Sequence, residues 1–338
     1  MSDVKQPELQ HAALNQPELI LHHFLVSPFS EKIRLVLGYK QLAWKSVLVP
    51  GTLPKPDVVT LTGGYRKSPF LQIGADIYCD SALICDVLER LQPSPTLYPD
   101  ALDGIARTLA QWADGTLFWS ALAAPRDTGQ LFAGMAPGTA AAFGADREAM
   151  KGTMLRLRGP DAAAASKTYL RRLSNMFDRH SGDRPFLLGQ SPCIADFSVY
   201  HTLWFSRRYV PDVAAMLMRE PLLACWMERM AALGHGPMQQ VDANAAIAAA
   251  AAAQPLPVGQ GPLADAVFQD DHGIALGSHV RIAAESFGPE ASEGELVAAT
   301  STHFSLRRHD ARAGTVHVHF PRIGYVLEAA PQSAPSKE

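Results

Sequence analysis

No stretch of the chain is apolar for long enough to cross a bilayer. The nearest candidate, the alanine-rich tract at residues 245–253, falls far short of the ~20 residues that a spanning helix needs. Strong charge of either sign is also missing: 30 Lys and Arg face 33 Asp and Glu, a formal net charge of −3. That balance gives no electrostatic reason to expect nucleic acid or an anionic membrane as partner. Residues 1–16 are polar and lack the apolar core of a secretory signal, so a cytoplasmic protein is expected. The four cysteines (Cys79, Cys85, Cys193 and Cys225) form no Cys-x-x-Cys pair and no dense framework. They suit a reducing compartment, with the thiols packed as small hydrophobes, and no metal site is expected at Cys79 and Cys85.

What is present is ordinary globular composition, 47% hydrophobic over 338 residues, enough chain for two or three domains. An apolar run at residues 19–26 has strand length and ends at Ser27-Pro28, serine at an N-cap and proline at the first helical position. Phe29, Ile33, Val36 and Leu37 follow at helical spacing, and residues 44–49 read as a second strand. Residues 50–65 are rich in proline, glycine and threonine, giving loop with at most one short helix. Residues 70–73 and 76–79 form a hairpin across Gly74-Ala75, and Asp80-Ser81 opens an amphipathic helix ending at Gln92-Pro93.

From residue 101 to about 234 the chain is alanine- and leucine-rich at helical period, broken at Ala136-Pro137-Gly138 and Gly159-Pro160. Five or six helices are expected. Short strands are expected near residues 280–283, 295–299, 303–306, 315–320 and 325–327. The spacing therefore predicts an α/β unit at residues 18–93, an all-α unit at 100–243 and an Ala/Pro/Gly-rich linker at 244–262. A small β-barrel or β-sandwich at 263–330 completes the chain.

Three segments carry candidate chemistry. Ser68-Pro69, at a strand entrance after a long loop, suits either a cis peptide, which would turn the Ser68 backbone toward a ligand, or a trans proline at a strand edge. Asp80-Ser81 and Ser27-Pro28-Phe29-Ser30 each stand at a helix N-terminus, where backbone N–H groups and a hydroxyl either cap the helix or receive an anion. His317-x-His319 puts two imidazoles on one strand face; without a third ligand it reads as a solvent-facing pair. Arg307-Arg308 and Arg171-Arg172 read as solvated charge, and His22 and His23 as structural residues of a strand.

The order of these segments resembles the cytosolic glutathione S-transferase family, in a serine-type form with an added C-terminal β domain. Ser27-Pro28-Phe29-Ser30-Glu31-Lys32-Ile33-Arg34 is similar to its Ser/Cys-Pro-x-Ser/Cys-x-Lys-Val-Arg block. Lys67-Ser68-Pro69-Phe70-Leu71 is similar to its cis-proline block, with Ser68 where valine is usual. Asp80-Ser81-Ala82-Leu83-Ile84 is similar to its Glu-Ser-x-x-Ile block, and Phe186-Leu187-Leu188-Gly189 through Ser191 and Ala195-Asp196 to its helical-domain capping segment.

The resemblance implies a thioredoxin-like N-terminal domain, an all-helical second domain and glutathione as co-substrate without a metal. Ser27 would activate the thiol, and Ser68, beside Pro69, would pair with the cysteinyl residue. Asp80 and Ser81 would hold the γ-glutamyl end, and Arg66 or Lys67 would approach the glycine carboxylate. The implied enzyme is a transferase acting on a small hydrophobic electrophile or hydroperoxide, in a homodimer. A catalytically silent glutathione-binding or regulatory protein is the alternative. Trp112, Phe118, Trp119, Phe132 and Tyr209 are candidate linings for the second substrate. With serine at positions 27 and 30, thiol exchange through a protein cysteine lacks its nucleophile.

Overall fold

Strand β1 (Ile20–His23) is buried along its whole length, because it runs in the middle of a sheet with helices on both faces. The computed structural model describes residues 17–151, 159–178, 184–264 and 272–330; the polar segment 1–16 lies outside them. Helix α1 (Pro28–Tyr39) starts on the Ser27 cap and returns the chain to β2 (Trp44–Leu48), parallel to β1. The short helix α2 (Pro56–Thr62) begins on proline and stops at Gly63, φ +82°, a left-handed backbone that glycine adopts without penalty. The antiparallel hairpin β3 (Phe70–Ile73) and β4 (Asp76–Cys79) and helix α3 (Ser81–Leu91) complete the expected N-terminal unit.

The helical half contains more helices than the five or six expected. They are α4 (Asp103–Trp112), α5 (Phe118–Leu122), α6 (Thr128–Leu131), α7 (Thr139–Ala149), α8 (Gly159–Asp178), α9 (Ile194–Tyr209), α10 (Pro211–Leu217) and α11 (Pro221–Ala231). The Pro-Gly breaks became helix starts, and α4 runs into α5 through a π-turn at Ala113–Leu117. Such turns insert an extra residue into a helix and re-aim its side chains. Asp196 caps α9 as the resemblance implies, but the residue it supports is Cys193 and not Ser191. Its carboxylate accepts from Cys193 N (3.0 Å), Leu187 N (2.9 Å) and Trp226 Nε1 (2.9 Å).

Two further elements join the helical half to the tail. Strand β5 (Met238–Gln240), unforeseen, pairs parallel with β2, and helix α12 (Ala243–Ala251) packs Ala246 against Ile20 and Val47. The alanine tract is thus a buried helix, since small side chains let it lie close to the sheet.

Among the described residues the tail is built of strands, as expected, but these close no barrel and stack no second sheet. Its strands β6 (His279–Ala284), β7 (Ser292–Ala299), β8 (His303–Asp310), β9 (Gly314–Pro321) and β10 (Tyr325–Ala329) continue the N-terminal sheet. One ten-stranded sheet results, in the order β10-β6-β7-β8-β9-β4-β3-β1-β2-β5. The junction is a parallel pairing of β9 with β4, Asp76 opposite His317 and Tyr78 opposite His319. Beyond it the sheet curls until Tyr325 on the edge strand donates its hydroxyl to Asp80 Oδ2 at 3.0 Å. The curl encloses a second core in which Val280, Leu296, Phe304, Leu306 and Val318 join Phe70, Ile77 and Leu61. The first core lies between α1, α3 and the helical half.

His317 and His319 are therefore not solvent-facing: each is 7% exposed. His319 lies between Asp76 Oδ1 (3.0 Å) and Ser305 Oγ (2.7 Å), and Asp76 Oδ2 also accepts from Leu256 N (2.9 Å). The pair fastens the tail to the first hairpin. Arg308 likewise reaches the Thr60 carbonyl, whereas Arg307 pairs with Glu295 at the surface.

Candidate active-site cleft

The start of α1, the loop before β3 and the first helices of the helical half meet at a cleft of about 190 Å³. The N-terminal half lines it with Ser27, Phe29, Lys55 and Arg66-Lys67-Ser68, the helical half with Phe118, Trp119, Arg126, Phe143 and Arg147, and the tail with Phe287. Ser27 is half-buried at the N-cap of α1, where its Oγ accepts from Ser30 N at 3.3 Å. A hydroxyl has two acceptor sites and one donor. Capping uses an acceptor and leaves the O–H free to donate into the cleft. The capping and anion-facing readings of Ser27 are thus compatible.

The Ser68-Pro69 bond is cis, and Ser68 and Lys67 both line the cleft while Pro69 is buried behind them. Asp80 and Ser81 are not among the lining residues. Asp80, at φ +77°, caps α3 through Ala82 N (2.9 Å) and takes the Tyr325 hydroxyl on its other oxygen. Ser81 is 6% exposed. Lys67 lies over the rings of Tyr65 (5.3 Å) and Tyr325 (5.1 Å), and burial lowers its pKa although Asp80 opposes the shift. Thus Ser27, Lys67 and Ser68 converge on one space, and the helix start at Asp80-Ser81 stands behind it, covered by the tail.

Arg66 does not face a ligand with free charge. Its Nη1 meets Asp146 Oδ1 at 2.9 Å and its Nε meets Glu290 Oε1 at 2.8 Å. Arg147 shares Asp146, donates to the Gly51 carbonyl and lies 4.1 Å over Phe143. Lys55 donates to the Arg66 carbonyl at 3.0 Å, and burial, aided by Arg147, brings its ammonium down to about 8. The tail completes the rim: Gly288 N donates to Met150 O at 2.7 Å, and Phe287 meets Trp119 at 5.0 Å. Gly64 is required for this docking, because a Cβ there would stand 1.9 Å from the Ala291 carbonyl.

Of the aromatics proposed as a lining, Phe118 and Trp119 line the cleft, and Trp112, Phe132 and Tyr209 do not. His22 and His23 are buried structural residues, bonded to Gln72 and Ser46 at 2.8 Å each. The cysteines Cys79, Cys85 and Cys193 are buried, and burial pushes the Cys85 and Cys193 thiols up to about 12, which leaves them poor nucleophiles. Among the described residues no group of three or more His, Cys, Asp or Glu side chains is set to hold a metal. Lys55, Arg126, Phe143, Arg147, Phe287 and Tyr325 went unread in the sequence. Lys55 falls in the loop between two motifs and the others in chain far from the motifs of the resemblance, and none stands in a local pattern that marks it.

A thioredoxin-like unit with a hydroxyl at its first helix start and a cis-proline loop, sharing a cleft with a helical unit, defines a two-domain class by its architecture. The comparisons with known proteins narrow that class. Residues 21–96 match the family model for the glutathione S-transferase N-terminal domain. A GST-like protein of Pseudomonas syringae is 40% identical, with 93% of this chain and 100% of that one aligned and a TM-score of 0.72. The glutathione transferase GSTFuA3 of Phanerochaete chrysosporium shares the fold at 19% identity over 65% of this chain and 98% of its own, TM-score 0.51. Among curated proteins none matches the sequence. The chain belongs to the glutathione S-transferase family.

Proposed function

We propose that the protein is a glutathione-dependent transferase that binds glutathione in this cleft and activates its thiol with the Ser27 hydroxyl for attack on a small electrophile. The observation that carries this reading is Ser27 itself: its capping bond leaves the O–H donor for the same cleft that Ser68, Lys67 and the Phe118–Trp119 wall line. A thiol of pKa ~8.5 is only a few per cent ionised at neutral pH. Lowering it by two units takes about 2.7 kcal/mol. A hydrogen bond to an anion supplies about 1.5–3 kcal/mol, and the α1 N-terminus adds about 0.3–1. No metal or separate base is needed.

In this reading the Ser68 backbone pairs with the cysteinyl residue, and Lys67 and Lys55 meet the carboxylates. Asp80 and Ser81 act on the γ-glutamyl end only when the Tyr325 hydroxyl yields Asp80. The thiolate then attacks the electrophile lying against Phe118 and Trp119; the new C–S bond forms as the leaving group departs with its electron pair. Exchanging Ser27→Ala is expected to return the bound thiol pKa toward its free value, read by thiolate absorbance against pH. Turnover should fall about 10- to 100-fold, with glutathione affinity within about threefold. An unchanged thiol pKa and unchanged turnover would remove Ser27 from the chemistry.

A further inference from the structure

We infer that the second substrate of this cleft is an aromatic electrophile carrying an anionic group, and that Arg126 reads that group. The inference rests on the transferase reading above and adds the class of its co-substrate. Among the described residues five cationic side chains line the cleft, Lys55, Arg66, Lys67, Arg126 and Arg147, and no carboxylate does. Four of them are taken, by protein partners or by the glutathione carboxylates assigned above. Arg66 and Arg147 share Asp146, and Arg66 also holds Glu290; Lys55 is bonded to the Arg66 carbonyl and Lys67 lies over two tyrosine rings.

Arg126 differs. Among the described residues its polar partner is the Leu122 carbonyl at 3.1 Å, and no carboxylate pairs with it. That bond leaves most of a five-donor fork for a ligand. Arg126 lines the cleft and is exposed, so its guanidinium is open to an incoming anion.

Arg126 also stands in an aromatic setting. Phe118 and Leu122 lie four residues apart on α5 and so share a face, and Arg126, in the loop beyond its end, lines the same cleft. Phe118 meets Trp119 at 4.8 Å, and Trp119 meets Phe287 at 5.0 Å. These rings offer stacking surfaces to a flat substrate. The tail thus takes part in substrate choice, because Phe287 extends the ring wall that Trp119 of α5 begins.

The test compares 4-chloro-3-nitrobenzoate with its neutral 4-chloro-3-nitrobenzamide, at saturating glutathione, each rate divided by its uncatalysed counterpart. The full-length protein is expected to favour the carboxylate about 10-fold or more in kcat/KM, and Arg126→Gln to bring the ratio near one. Arg126→Lys should keep part of the preference, since a point charge remains. A ratio near one in the unaltered protein, or one that survives Arg126→Gln, overturns the inference. Calorimetric titration with unreactive 3-nitrobenzoate and 3-nitrobenzamide separates the two readings. Arg126-dependent binding of the benzoate with no turnover of either electrophile sinks the transferase reading and leaves only the anion site at Arg126 standing. Turnover without charge preference does the reverse.

Discussion

Single side chains of this protein serve roles that local sequence leaves as alternatives. Ser27 is an N-cap and also a free donor, because one hydroxyl accepts and donates at once. His22 and His23 were legible as structural, and the reason is now physical. His22 stacks on Phe70 at 4.3 Å and pairs with Gln72, and burial lowers its pKa to about 4. The unfolded chain takes that proton near 6.5, so between pH 6.5 and about 4 the unfolded state binds more protons than the folded one. Stability therefore falls as pH drops through this window and is independent of His22 above it. The loss attributable to His22 is on the order of 3 kcal/mol by pH 4. Urea unfolding at pH 7, 6, 5 and 4.5 measures it. In His22→Gln the slope of stability against pH should shrink by up to one proton; an unchanged slope would place the acid sensitivity elsewhere.

Elements are held together by charges that the motifs concealed. Lys32, within the motif that follows Ser27, is 1% exposed in its side chain and reaches Asp114 Oδ2 at 2.6 Å. The π-turn carries Asp114, whose other oxygen meets His201 Nε2 of α9 at 2.8 Å. Burial alone would raise the Asp114 carboxyl; Lys32 and His201 outweigh it and hold it at about 2. The bond thus ties α1 to the helical half beneath the cleft. Helical periodicity could show that α1 and α4 exist, but not the extra residue in the turn that aims Asp114 inward. Replacing Asp114→Ala strands a buried ammonium, and about 3–5 kcal/mol of stability should be lost. In Lys32→Met/Asp114→Ala most of that loss should be recovered, as a double-mutant cycle by denaturant unfolding would show. Strictly additive losses would mean that the pair is uncoupled.

At the scale of the whole molecule, strand positions in the tail were legible to within a few residues, since alternation and glycine turns are local signals. Their partner was not. An alternating strand has one apolar face whether it closes a separate barrel or extends an existing sheet, and nothing in residues 314–321 marks β4 as the neighbour. The decisive signals are distant in sequence: Gly64 against Ala291, Tyr65 N bonded to Ser292 Oγ at 3.1 Å, and Asp76 with His319. The tail is consequently not detachable. Without it β4 becomes an open parallel edge, and the second core loses the side that covers Phe70, Ile77 and Leu61. An unpaired edge above an exposed apolar face is an aggregation site. Calorimetry of the full chain is expected to show one cooperative transition. A chain ended at Gln254 should aggregate or unfold without a cooperative transition. A soluble truncated chain with an unchanged melting temperature, or two separate transitions in the full chain, would show instead that the tail is an independent unit resting on the sheet.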